Sequence, residues 1–227
     1  MLRNYLKISL RKMARQKMNT LITVGGLALG IASAVFIFSF ILNEISYDRF
    51  NKNQENIFRV VTGNMGEPDA WVGTPAPLGP VLISSMPEVK EFVRTKVREA
   101  FVRVDNKSFH EKKVLCADPS LFNVFSFPVI EGNANNLLSD PNSVVISESA
   151  AKKYFGNTDP VGKILNVDSR TSYMVTGVMK DFPTNSSFRC DMLLSMSSYS
   201  DTKNDDWLSM SYTTYISLKK GTDPFFF

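Results

Sequence analysis

Acidic residues are absent from the first 43 positions of this 227-residue chain, and Glu44 is the first of them. From Leu21 to Leu42 there is no charged side chain of either sign, while the positions before it carry six cations, Arg3, Lys7, Arg11, Lys12, Arg15 and Lys17. Histidine is almost missing: His110 stands alone, which excludes a multi-histidine metal centre, and it is expected in an exposed loop after the turn at Asp105-Asn106-Lys107. No Gly-x-Ser-x-Gly elbow supplies a hydrolase nucleophile, and the carboxylates are scattered rather than paired, so glycosidase-type chemistry has no support. Cys116 and Cys190, 74 positions apart, lack metal-like spacing; a disulfide and two separate thiols both remain open. No internal repeat or low-complexity segment is present. These gaps leave no catalytic, cofactor or metal site to assign.

What is present is a membrane signature. The 22 uncharged residues from Leu21 to Leu42 extend roughly 33 Å as a helix, against a hydrocarbon core of about 30 Å. The six cations hold the N-terminus in the cytoplasm, so the chain beyond Leu42 lies on the other side. A signal peptide cleaved at Ala32-Ser33-Ala34 competes with this assignment, but the apolar run continues through Val35-Phe36-Ile37-Phe38 to Leu42. Gly26, Gly30 and Ala34, four apart, form a small-residue stripe on which a second helix can pack; glycine is also common in membrane helices generally.

The net charge of +4 is a property of the tail: without its six cations the chain carries 20 basic against 22 acidic residues, a net of −2. Nucleic acid is therefore not the expected partner, whereas anionic headgroups are. Leu2, Leu6, Leu10 and Met13 lie on one helical stripe with Tyr5, and Arg3, Lys7, Arg11 and Arg15 recur on another. Such a segment either lies along the cytoplasmic surface as a helix or serves only as a basic orienting tail.

Past the membrane the absence of breakers predicts that the helix continues to about Asn51 as a stalk. Strands are expected at Ile57–Val61, within Glu91–Val104 as one strand or a hairpin, and at Val114–Ala117, Val144–Ile146, Lys163–Val167, Tyr173–Lys180, Asp191–Met196 and Tyr212–Leu218. Helices are expected at Leu78–Met86 and at Glu148–Phe155, the second capped by Ser147 and stopped by Gly156. The fold class is α+β, with one N-terminal transmembrane helix before a mixed, strand-rich domain. Gly156-Asn157-Thr158-Asp159-Pro160-Val161-Gly162-Lys163 superficially resembles a phosphate-binding loop, but it has five residues between the glycines, Ile164 in place of the hydroxyl, and a helix before the strand. It is expected to be a turn.

Asn4-Tyr5-Leu6-Lys7 through Asn19-Thr20-Leu21-Ile22, Tyr47-Asp48-Arg49-Phe50, Ile57-Phe58-Arg59-Val60, Thr74-Pro75-Ala76-Pro77-Leu78, Asp118-Pro119-Ser120-Leu121-Phe122 with Phe125-Ser126-Phe127, Val144 to Lys163, and Val175-Thr176-Gly177 through Asp181-Phe182-Pro183 follow one another along the chain. Together these segments resemble the permease subunits of MacB- and FtsX-like ABC transporters. Their wording is most similar to members from Bacteroidetes-type bacteria. The resemblance implies a cytoplasmic basic segment (1–20), a transmembrane helix (21–42), a helical stalk (43–56) and a MacB-like periplasmic core domain (57–224) in the bacterial inner membrane. It implies a permease without ATPase motifs of its own, working as a dimer with a cytoplasmic ABC ATPase in efflux or mechanotransmission; a periplasmic adaptor and outer-membrane channel remain open as partners. Such permeases carry further helices, so Phe225-Phe226-Phe227 is expected to mark a truncation point. A single-pass anchored periplasmic binding or sensing domain is the alternative.

Overall fold

The computed structural model describes residues 2–63, 70–134, 136–203 and 205–223; the expected truncation point at 225–227 lies outside them. The chain divides into two units, 1–47 and 48–227. In the first, α1 (Leu2–Arg15) is followed by α2 (Lys17–Ile45), with Gln16 breaking the helix at φ −109° and ψ 59°. α2 is apolar on all sides and no residue of it is buried, the composition of a helix whose surroundings are not water.

The expected stalk is not continuous helix. α2 ends at Ile45, residues 46–50 are turns, and Gln54–Asn56 form a single 3₁₀ turn. The reason is side-chain competition: the Ser46 hydroxyl donates back to the Asn43 carbonyl at 2.7 Å, and Asp48 takes the left-handed conformation at φ 55°.

The second unit contains β1 (Ile57–Arg59), β2 (Thr62–Gly63), β3 (Ala70–Trp71), α3 (Leu78–Ser85), β4 (Val89–Val104), β5 (Lys107–Ala117), α4 (Leu121–Val124), β6 (Val129–Gly132), β7 (Ser143–Ser147), α5 (Glu148–Phe155), β8 (Ile164–Val167), β9 (Thr171–Met179), β10 (Met192–Ser195) and β11 (Thr213–Leu218). Its mixed sheet runs β1-β11-β4-β5-β10-β7-β9-β6, and β8 pairs with both β9 and β4. β4, β5, β10, β7, β9 and β8 therefore close into a ring. β10 is parallel to β5 and β7 to β9, and the other pairings are antiparallel.

The central strands are apolar without interruption because both of their faces are buried. Val144 and Ile146, Met192 and Leu194, and Val114 and Cys116 turn toward one core, shared with Val102, Leu165, Val175 and Tyr154. Val145, Leu193, Leu115 and Ala117 turn toward a second core with Phe125, Phe127, Phe188 and Leu121. The two cysteines are buried, one in each core, and form no disulfide with each other. His110 belongs to β5 rather than to a loop; it stacks on Phe101 at 4.6 Å and bonds Glu99 at 3.0 Å. The long β4–β5 hairpin turns tightly at Asp105, φ 50°.

Candidate functional site

The residues singled out in the membrane segment all lie on helix surface. Gly26, Gly30 and Ala34 are exposed on α2, and a Cβ added at either glycine meets nothing within 4 Å. Lys7, Arg11, Lys12 and Arg15 of α1 and Lys17 of α2 are exposed; Arg3 lies in α1, with only its backbone described. Where α1 meets α2, a notch of about 270 Å³ is lined by Lys12, Gln16, Asn19, Thr20 and Thr23, and the Thr20 hydroxyl donates to the Met13 carbonyl at 3.0 Å.

The second unit begins with a tightly held joint. The Asp48 N–H donates to the Asn185 carbonyl at 3.0 Å, and its carboxylate accepts the Ser187 N–H at 2.9 Å as well as the Ser187 hydroxyl. Asn51 is buried; its side-chain oxygen accepts the Ser126 N–H at 2.9 Å, and the Ser126 hydroxyl accepts the Lys52 N–H at 3.0 Å. Phe50 packs against Phe127, which meets Phe182 and Phe188 edge-on at 4.8 and 5.4 Å. Asp48 and Phe50, Ser126 and Phe127, and Phe182 are thus distant in sequence but contribute to one joint.

A second node explains two other motifs. Arg94, buried on β4, holds Asp118 with Nε and Nη2 at 2.9 Å each and donates Nη1 to the carbonyls of Ala76 and Thr202. Thr74 shares its hydroxyl with Thr214 at 2.7 Å. Thr74-Pro75-Ala76 and Asp118-Pro119-Ser120 are thus tied by hydrogen bonds to β4 and β11.

An open groove of about 630 Å³ crosses the outer half of β5 to the segment 181–191, with Lys112, Lys113, Ser149, Asp181, Arg189 and Cys190 among its lining residues. Glu111 beside it is buried and accepts Tyr154 Oη at 2.7 Å and Lys153 Nζ at 2.6 Å; burial first, then this bond, raise the Tyr154 pKa above its ordinary value. Burial raises Cys190 as well, so its thiol stays protonated near neutrality. Burial works to raise Asp181, but hydrogen bonds from the Ser149 hydroxyl and N–H and from the Ser147 side chain outweigh it and hold the carboxyl below its ordinary value. Among the described residues no group of three or more His, Cys, Asp and Glu side chains is arranged to hold a metal ion. Gly156 to Lys163 runs from the end of α5 into β8, and the Val161 N–H is tied to Asp159, as expected of a turn.

The joint and the groove were not legible beforehand because each is assembled from segments remote in sequence. The signal that existed was the short polar-aromatic wording of the motifs, which names the pieces but not their contacts.

The architecture defines a class: a strand-rich α+β domain that follows in sequence one long apolar helix among the described residues. The family model described as the MacB-like periplasmic core domain matches residues 20–225, and the chain belongs to that family. A domain of a protein described as a permease, from Porphyromonas gingivalis, is similar with a TM-score of 0.67 at 27% identity, covering 77% of this chain and 80% of that one. The periplasmic region of MacB from Actinobacillus actinomycetemcomitans shares the fold, with a TM-score of 0.57 at 18% identity over 75% of this chain and 78% of its own. No curated protein matches the chain.

Proposed function

We propose that this chain acts in an ABC-transporter permease subunit in the bacterial inner membrane, with its N-terminus in the cytoplasm. It passes the work of ATP hydrolysis by a partner ATPase to the periplasm, for export or mechanical transmission, and carries out no chemistry itself. The observation that carries this reading is the family match from residue 20 to 225, which takes in most of α2 together with the sheet domain. The six cations before the uncharged run that starts at Leu21 support the orientation. Gly26, Gly30 and Ala34 supply the face for packing against other helices, including those of a second permease copy. Expression of the chain in its native membrane, followed by affinity purification and a search for a bound ABC ATPase, tests the proposal. Co-purification of the ATPase, with hydrolysis that changes when the permease is present, is the expected result; failure to co-purify under conditions that preserve the membrane complex overturns it.

A further inference from the structure

The segment 181–190 forms one wall of the groove; its Phe182 and Phe188 pack in the second core, the Asn185 carbonyl accepts the Asp48 N–H, and two of its side chains add fastenings of one chemistry. At its start the Asp181 carboxylate accepts both the N–H and the hydroxyl of Ser149, the second residue of α5. Toward its end both the N–H and the hydroxyl of Ser187 go to the carboxylate of Asp48. The strap is also folded on itself: Ser186 N–H bonds the Pro183 carbonyl at 3.0 Å between the fastenings, and Arg189 Nη2, just past the second, bonds the Thr184 carbonyl at 2.7 Å. Cys190 lines this groove and also a neighbouring one of about 280 Å³ on the side of Val97 and Tyr215, while remaining only 8% exposed.

One fastening belongs to the groove's own scaffold, since Ser149 is on α5. The other, Asp48, lies three residues past the end of α2 in sequence. We infer that Asp48 is a latch: moving the chain at this residue releases the strap 181–190 and opens the groove down to Cys190. Only the cause of that movement rests on the coupling reading above; the latch itself is a property of the second unit. Asp48 suits the task because its left-handed backbone presents both carboxylate oxygens to Ser187, a conformation that Asn also tolerates and β-branched residues do not.

The thiol of Cys190 reports the state of the strap. Full-length chain in detergent micelles is treated with a maleimide, and the labelling of the Cys190 and Cys116 peptides is followed by mass spectrometry. In the unaltered chain both label slowly. Asp48→Asn, which keeps the backbone preference and removes the charge, is expected to speed Cys190 about tenfold, the effect of weakening charged hydrogen bonds, and to leave Cys116 unchanged. Ser187→Ala is expected to act in the same direction but less, and the double variant to label no faster than Asp48→Asn. The inference is overturned by an unchanged Cys190 rate in both single variants, or by Cys116 accelerating in step with Cys190, which reports general loosening. Cys190 labelling that responds to the variants but ignores ATP turnover by a bound ATPase upholds the latch and sinks the coupling reading.

Discussion

Arg94 and Asp118 meet as a two-pronged ion pair in which the residues are only 8% and 7% exposed, and the Arg94 N–H donates to the same carboxylate at 2.8 Å. The pair joins β4 to the turn that leads into α4, and the third guanidinium nitrogen, Nη1, reaches the Ala76 carbonyl before α3. Removing one member leaves the other charged and unpaired. Asp118→Asn or Arg94→Met is therefore expected to cost about 3–5 kcal/mol, measured as a shift in the chemical denaturation midpoint of the full chain. The double variant, Arg94→Met with Asp118→Leu, is expected to cost less than either single change, because no lone charge is then buried.

Gly177 stands where β6 crosses β9 most closely. A Cβ there would lie 2.4 Å from Leu137 Cδ2 and 2.8 Å from the Glu131 carbonyl oxygen, and the opposing Gly132 has φ 101°. Gly177→Ala is expected to destabilise the domain by about 1–3 kcal/mol through overpacking. Gly162→Ala meets no neighbour but carries the strain of its positive φ; the expected loss of about 1 kcal/mol distinguishes backbone strain from crowding in the same denaturation assay.

Asp181 supplies a pH dependence with a definite sign. Its folded-state pKa is depressed, so its stabilising effect is full above the ordinary carboxylate range near pH 4 and is lost as the pH falls through the lower folded value. Asp181→Asn is expected to flatten that acid limb. Denaturation midpoints at about pH 6 and about pH 3, on either side of that range, check this: the difference between them shrinks in the variant.

Gly26→Leu with Gly30→Leu is expected to leave membrane insertion and sheet-domain stability unchanged while weakening association with other membrane helices. Crosslinking in native membranes and denaturation of the same preparations separate the two effects. Intact assembly in the variant removes the packing role of the stripe.

Replacing Lys7, Arg11, Lys12 and Arg15 with Ser is expected to give a mixture of orientations across the membrane, since the cation bias near the helix sets its direction. Protease protection of the sheet domain in spheroplasts reads the fraction inverted.

Features set by local pattern were legible from residues alone. The long apolar helix, α3, α5 with its Ser147 cap and Gly156 stop, and the strands at 57–59, 144–146, 164–167 and 213–218 follow from periodicity, capping and length. β5 is legible only over its last four residues because Glu111, Lys112 and Lys113 mask its start; Glu111 is charged yet buried, against Tyr154 and Lys153. The stalk reads too long from sequence because Ser46 and Asp48 are acceptable inside a helix until their side chains find other partners.

The charge asymmetry and the uncharged run from Leu21 to Leu42 are properties of the sequence itself, since transfer of a segment into hydrocarbon depends on what it contains rather than on its neighbours. Tertiary structure decided the closing of six strands through β8, the division of apolar residues between two cores, and the meeting of Asp48 with Ser187, 139 positions away. Those contacts are long-range: their geometry exists only once the sheet has formed, and nothing local to either residue specifies it.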